Sequence, residues 1–424
     1  MIKIFECKDK NYLNKLTVFL DKRRNDKNNN SKKVSLILRD IKKNKIKALI
    51  KYEKRFSKNK KINLSKNDIN SSIKKLDPEV KKAIDFAYKR ILNFHSKQLK
   101  NVRNITYIDK YKNKLEYKNV PLESVAIYVP GNLPSTLLMN SIPAKLAKVK
   151  RIVLATPKIN GKLNPAILYA AKKVGIDEIY SMGGAQAIAS LAYIQKVNKI
   201  IGPGNRYVAE AKRQLSGKIV GTESMFAGPS EICVLADKDT DINQVATSLI
   251  SQAEHDYDSQ SILVTKDDKI INKVKNKVSE LLKNLPRKKI AYKSLKNHGL
   301  IIKVKNDSQI IDVINTISSE HLELLINNYK KYINKIVNAG SICNGKYSSM
   351  CLSDFTVGTN HVLPTSGSAK FSSGLNINEF IKKISIVTLS KLGVEKIANP
   401  AITLSEFEQL KGHTQSIKSR LRRK

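Results

Sequence analysis

The chain has 424 residues, enough for two or three domains with a sizeable core, and its 41% hydrophobic content with regular apolar periodicity indicates a soluble globular protein without a membrane helix. Lys and Arg number 78 against 36 Asp and Glu, a formal net charge of +42, so non-specific adhesion to nucleic acid or acidic surfaces is expected. The lysines are scattered instead of forming a stripe, tryptophan is absent and no nucleic-acid motif appears, so the charge reads as a compositional bias and no specific nucleic-acid or membrane partner is expected.

The first stretch, MIKIFECKDKNYLNKL, carries charges where an export signal needs an apolar core, and a cytoplasmic protein is expected. Cys7, Cys233, Cys343 and Cys351 form no C-x-x-C pair and read as reduced, buried thiols. Residues up to about 120 are rich in Lys and Asn with helical periodicity. From Ala83, one helix face carries Ile84, Ala87, Ile91 and Phe94, and His95 near its end reads as a surface residue, as does His298 in KNHGL.

Beyond residue 120 the pattern alternates. ESVAIYVPG, RIVLATP, DEIYSMGG and VNKIIGPGN read as strands, separated by helices such as NPAILYAAKKVG, which Gly175 stops. A second series follows: SEICVLAD, SQSILVTKD and GLIIKVKN are strands, while DINQVATSLISQAEH, KIINKVKNKVSELLKNL and SQIIDVINTISSEHLELLI are helices. Such alternation implies parallel sheets with right-handed crossovers. The predicted fold class is therefore α/β, with two Rossmann-like parallel-sheet domains and small helical N- and C-terminal segments. From Asn376 onward, INEFIKKISIVTLSKLG and ITLSEFEQLKGHTQSIKSRL read as helical.

Gly-rich turns follow several strands (YVPGN, GGAQ, IGPGNRY, AGPSE), but none is a complete G-x-G-x-x-G. A dinucleotide could still lie across the carboxyl ends of these strands, where open α/β sheets bind ligands. The turns alone are weak evidence, since tight connections use Gly and Pro for backbone reasons too.

Polar clusters stand out around four histidines. In SQAEHD, Gln252 and His255 project from one flank of an apolar stripe of Val245, Ala246, Leu249, Ile250 and Ala253, with Glu254 on the other flank. An i, i+3 pair can converge on one ion, but a histidine complementing a helix C-terminus is the stronger reading of this segment by itself. Glu320 and His321 in SSEHLELL suit a water-activating carboxylate and a general base, against an equally weighted reading as a helix carboxylate with a nearby histidine. Asp354 and His361 share a Gly- and Thr-rich loop, and Glu408 and His413 lie close together near the C-terminus. Gln252, His255, Asp354 and His413 would offer two nitrogens and two oxygens to zinc or manganese, though spacing cannot show that they meet.

Read in order, AIYVPG, SIPAKLAKV, GGAQAIASLAY, IGPGNRYVAEAKRQL, AGPSE, SQAEHDYDSQSILVT, SSEHLEL, VGTNHVLPT, FSSGL and EFEQLKGH resemble the histidinol dehydrogenase family over about residues 120–413. The 22-residue offset from Ser230 to Gln252 is specific to that pattern. The resemblance implies NAD-dependent, zinc-requiring four-electron oxidation of L-histidinol, via L-histidinal, to L-histidine, the final step of histidine biosynthesis. The implied zinc ligands are Gln252, His255, Asp354 and His413. The implied acid/base pair is His321, for hydride transfer, and Glu320, for water. Ser230, His361 and Glu408 would bind substrate together with the metal ligands and His321, and Tyr128, Gln186 and Asn205 would contact NAD. It also implies a homodimer with interlocked subunits, and divides the chain into an arm (1–23), a discontinuous first α/β domain (24–127 and 230–375), an NAD-side α/β domain (128–229) and a C-terminal module (376–424) exchanged in the dimer.

The chain departs from the family pattern with Ser224 and Phe226 before AGPSE, Asn132 after YVPG, and shortened connectors after Gly131 and Tyr193. These flank the expected NAD side, while every implied ligand and acid/base residue is present. The alternatives are a related zinc- and NAD-dependent amino-alcohol dehydrogenase with another substrate, and a basic nucleic-acid-binding protein.

Overall fold

The computed structural model describes residues 2–24, 30–59, 61–159, 161–224 and 228–421; Phe226 lies outside them. The chain opens on a strand, β1 (Lys3–Glu6), and a helix, α1 (Tyr12–Arg24). Helices α2 (Ser31–Ser57), α3 (Lys66–Ile73) and α4 (Pro78–Lys97) follow, the last two started by the side-chain caps of Ser65 and Asp77. β2 (Ile105–Ile108) and β3 (Lys114–Pro121) then pair as an antiparallel hairpin.

A five-stranded sheet comes next. Its strands β4 (Ser124–Tyr128), β5 (Arg151–Ala155), β6 (Glu178–Tyr180), β7 (Lys199–Ile201) and β8 (Gly221–Thr222) are linked by α5 (Pro134–Leu146), α6 (Pro165–Val174), α7 (Gly184–Tyr193) and α8 (Arg206–Leu215). The order is β6-β5-β4-β7-β8, parallel throughout. Helices cover both faces, so β4 is buried along its whole length, which is why it reads as an unbroken apolar run.

The second sheet contains β9 (Glu231–Leu235), β10 (Gln260–Thr265), β11 (Leu300–Lys303), β12 (His321–Leu324) and β13 (Ser341–Asn344). Its helices are α9 (Ile242–Ala253), α10 (Asp268–Leu282), α11 (Lys288–His298), α12 (Asp307–Ile317), α13 (Lys330–Ile333) and α14 (Met350–Phe355). With β1 at one edge the order is β1-β11-β10-β9-β12-β13, again all parallel. The chain closes with β14 (Ile381–Thr388), α15 (Lys391–Phe407) and α16 (Lys411–Ser419). Two parallel sheets built from helical crossovers are the architecture that the alternation predicts.

Several elements differ from expectation. β1 is a strand that extends the six-stranded sheet beside β11, because backbone pairing at an open edge outweighs the charges of its sequence. Residues 31–97 pack on the five-stranded sheet, not the six-stranded one. Val34, Leu38, Ile41 and Leu49 join Val153 and Ile188, and Ile84, Ala87 and Ile91 join Ile127 and Leu138. On α4, Phe94 is 44% exposed while His95 is fully buried between Gln98 and Asn360. The run SQIIDVINTISSEHLELLI is not one helix: α12 stops at Ser318, whose φ of 51° turns the backbone left-handed, and β12 follows. IKKISIVT is not helical either. Its eight residues pair antiparallel with β3, extending the β2–β3 hairpin to three strands, and this pairing overrides the weak helical period.

Candidate active site

In each α/β unit the helices run against the strands, so the last turn of a helix returns to the amino edge of its sheet. That topology gathers the predicted residues at the amino edge of the six-stranded sheet. Ser230 immediately precedes β9 and His321 opens β12, with Glu320 just before it. Gln252 sits in the last turn of α9, and His255 lies two residues past that helix's end. Asp354 is at the carboxyl end of α14, which packs against both α9 and β12.

The acid/base candidates are buried and close. His321 Nε2 is 4.0 Å from Glu320 Oε1 and 3.7 Å from Asp354 Oδ1. The Glu231 backbone N–H donates to Glu320 Oε2 at 2.9 Å. His361 Nδ1 lies 2.6 Å from the Asp354 carbonyl, and its Nε2 is 3.2 Å from Thr136 Oγ1. His255 is exposed, yet desolvation by the surrounding protein lowers its pKa.

Burial sets the protonation states. It pushes the Glu320 carboxyl well above the usual carboxylate range and Asp354 up to about 7, the latter helped by the nearby Glu323. It drives the imidazoles the other way, His321 to about 3 and His361 to about 4. The site thus sets a neutral imidazole beside carboxyl groups that resist ionisation.

Three buried atoms here have no hydrogen-bond partner: Gln252 Oε1, Asp354 Oδ1 and His321 Nδ1. Unpartnered buried oxygens on two adjoining helices are what a cation site would use. Among the described residues, no three His, Cys, Asp or Glu side chains gather as a metal site. Glu408 and His413 are not brought to the cleft. Both are exposed on the C-terminal helices and make no hydrogen bond or ion pair with it among the described residues.

Tyr128, Gln186 and Asn205 lie together at the carboxyl edge of the five-stranded sheet, where the strand order reverses between β4 and β7. Tyr128 Oη accepts the Gly184 N–H at 3.2 Å, Gln186 Nε2 donates to the buried Glu53 Oε1 at 2.9 Å, and Asn205 caps α8. Gly202 (φ 107°) lets β7 and β4 turn outward together, since a Cβ there would lie 2.1 Å from the Tyr128 carbonyl oxygen. The Thr136–His361 contact joins this edge to the acid/base edge, so the two sheets meet where the candidate residues lie. Ser224, one of the departures from the family pattern, donates through both its N–H and hydroxyl to Glu379, which also binds Lys199. An aspartate there would place two carboxylates together on one lysine.

Sequence reasoning misses several supporting residues. Glu323 shares a strand face with His321 and accepts from Ser248 Oγ and the Met350 N–H, both at 2.6 Å. Its i, i+2 spacing from His321 is a usable signal only once the segment is recognised as a strand. Arg23, Glu53, Glu231 and Thr136 carry no local signal of their partners.

Facing edges of two parallel sheets, joined by the Thr136–His361 contact, with a buried Glu–His pair on one and a strand-order reversal on the other, define a two-sheet α/β enzyme. A family model described as histidinol dehydrogenase matches residues 20–421. Histidinol dehydrogenase of Pelagibacter ubique (strain HTCC1062) is 53% identical over 431 residues and is covered, like this chain, in full. Its counterpart in Listeria monocytogenes is 42% identical over 398 residues, 91% of this chain and 92% of that one. The crystal structure of histidinol dehydrogenase from Elizabethkingia anophelis matches with a TM-score of 0.91 at 36% identity, over 99% of this chain and 98% of that one. The chain belongs to the histidinol dehydrogenase family, oxidoreductases of the final step of histidine biosynthesis. A fainter likeness, to aldehyde dehydrogenase 21 from Physcomitrella patens (TM-score 0.51, 10% identity), concerns the fold alone.

Proposed function

We propose that this chain oxidises L-histidinol through L-histidinal to L-histidine, with NAD as hydride acceptor and one zinc ion per subunit. The observation that carries this reading is the buried Glu320–His321 pair beside the unpartnered oxygens of Gln252 and Asp354. Those oxygens, with His255 and a His413 from a second copy, make a set of two nitrogens and two oxygens suited to zinc. Bound zinc supplies a fixed positive charge that orients the substrate's amine and imidazole nitrogens. NAD, accommodated along Tyr128, Gln186 and Asn205, accepts hydride. The start of α5 beside this crevice lacks a side-chain cap, which leaves backbone N–H groups for a phosphate.

The chain's own residues handle the protons. Neutral His321 takes the hydroxyl proton as hydride leaves the carbinol carbon, giving the aldehyde. Ionised Glu320 then takes a proton from water while the water oxygen bonds to the aldehyde carbon, and protonated His321 returns its proton to the aldehyde oxygen, which gives the hydrate and a neutral imidazole. The resulting hydrate loses a hydroxyl proton to His321 as the second hydride departs, leaving the carboxylic acid. Ser230, His361 and Glu408, with the zinc ligands and His321, hold the substrate, and burial of the pair keeps the reactive aldehyde from bulk water.

Glu408 and His413 serve the partner's cleft in this reading, as two copies exchange their C-terminal arms. The arm's apolar exposure supports this: Leu404 is 60% and Phe407 85% exposed in a single chain. The division into an arm, a discontinuous first domain, an NAD-side domain and an exchanged module belongs to the same proposal, with residues 31–97 regrouped onto the NAD-side sheet. We place the enzyme in the cytoplasm, which suits its four unpaired cysteines. Among the described residues, no helix is long and apolar enough to cross a membrane.

The test is histidinol-dependent NADH formation by wild type and His321→Asn, with and without a chelator. NADH from histidinol that chelation abolishes and His321→Asn nearly abolishes is expected. No NADH from histidinol, with NADH from another amino alcohol, would replace the substrate assignment.

A further inference from the structure

The last turn of α1 ends in Arg23 and Arg24, and both side chains reach the amino edge of the six-stranded sheet. Arg23 pairs with Glu231 at 2.5 Å, the two side chains being only 5% and 3% exposed. Its Nε donates to the Asp258 carbonyl at 2.7 Å, and its Nη2 to the Pro229 carbonyl at 2.8 Å, with the Ser230 carbonyl at 3.5 Å. One guanidinium therefore ties the backbone leading into β9 to the backbone leading into β10. Arg24 adds the Ile317 carbonyl at 2.6 Å, at the end of α12 and just ahead of Glu320.

The clamp reaches the chemistry in one further step. Glu231, whose carboxylate holds Arg23, donates its backbone N–H to Glu320 Oε2, the one hydrogen bond the Glu320 carboxyl group makes among the described residues. Three nitrogens of one planar group serve acceptors on two segments, 229–231 and Asp258, a task a lysine ammonium on its flexible stem cannot reproduce. A buried ion pair of this kind does little for net stability, so its value lies in fixing geometry.

We infer that Arg23, acting through Glu231, is the positioning residue for the carboxylate of Glu320 in the water-activating half of the reaction. This rests on the acid/base reading above. The two halves can be measured separately on the zinc-loaded enzyme: transient NADH formation from L-histidinol reads the first hydride, and steady-state oxidation of L-histidinal reads the second.

Arg23→Lys should slow L-histidinal oxidation by about a hundredfold, the penalty for misplacing a reacting group by roughly 1 Å, with the first-hydride rate at saturating histidinol unchanged. In a Glu320→Gln background, Arg23→Lys should add no further loss, because its effect runs through that carboxylate. Equal losses in both halves, or full additivity in the double variant, would show a merely structural clamp and overturn the proposal. If Arg23→Lys folds poorly, Glu231→Gln keeps the amide donor but removes the charge that holds the fork, and the same selective loss is expected. Undiminished L-histidinal oxidation by Glu320→Gln alone would instead overturn the acid/base reading, and the proposal with it.

Discussion

At His321 burial, reinforced by the rings of His361 and His255, brings the imidazole down to about 3, so it stands neutral through the physiological range and ready to take a proton. If His321 is the base, as proposed, His321→Asn should lower kcat by about 10² to 10⁴ with little change in melting temperature, read from NADH formation and thermal unfolding. Glu320 has the opposite problem. Its carboxyl is raised well above the usual range by burial, yet the water activation proposed for it needs its charged form. L-histidinal oxidation should therefore fall as pH drops, along an acid limb lying above the ordinary carboxylate range. The same shift bears on stability with a definite sign. A carboxyl whose folded pKa is raised contributes stability at pH values below its unfolded pKa and loses it as pH rises through the folded one. In chelator-treated protein, Glu320→Gln should thus melt higher than wild type at pH 8, with the gap closing toward pH 4; a gap that is constant across pH would show that burial of this charge is not what matters. The candidate residues stand out in the sequence by type and local motif, but their grouping as one site rests on the family resemblance, not on local pattern. Meetings in space are not legible there: Arg23 and Glu231 are 208 positions apart, and only the return of strands and helices to one sheet edge joins them.

Three elements converge on that edge, and one buried side chain fastens them. Glu323 on β12 accepts from Ser248 on α9 and from the first N–H of α14, the two helices that carry Gln252 and Asp354. Negative charge at the start of α14 also complements its dipole. Glu323→Ala should cost roughly 2–3 kcal/mol, since it strands two buried donors that served a charged acceptor. Glu323→Gln, nearly isosteric, should retain most of the stability yet weaken zinc binding by about tenfold or more, as loss of groups that orient metal ligands does. Chelator competition reads the affinity without reference to turnover; unchanged affinity would confine Glu323 to a packing role. Element type is where sequence reasoning is weakest. SSEHLELL keeps a helix-like apolar period but becomes a strand, because a left-handed Ser318 ends α12 and a vacant position between β9 and β13 takes the segment. IKKISIVT behaves likewise: only the partner strand, more than 250 residues earlier in the chain, makes it β. The long buried strands of the five-stranded sheet, by contrast, announce themselves by composition alone.

At the scale of the whole molecule, the proposed reading leaves a single chain without its full ligand set, and the C-terminal module's apolar residues uncovered among the described residues. The cleft offers Gln252, His255 and Asp354, while His413 and Glu408 stand exposed on α16 and at the end of α15. The sheet that carries the arm is bare as well, with Tyr107 58%, Tyr117 51% and Val387 60% exposed. Exposed apolar surface and missing ligands on one segment are both resolved if two copies exchange arms about a twofold axis. The exchange predicts complementation. His321→Asn has a dead cleft and a sound arm, while His413→Ala has a sound cleft and a dead arm, so each is inactive as a homodimer. If arms cross, a mixed dimer assembles one complete site from the cleft of one variant and the arm of the other. Random pairing makes about half the dimers mixed, each with one working site of two, so co-refolding equal amounts should restore about a quarter of wild-type turnover. If each arm instead folds back on its own cleft, every site keeps one lesion and no activity returns. Mixing the two folded homodimers without unfolding gives the control, since recovery must then wait for subunit exchange.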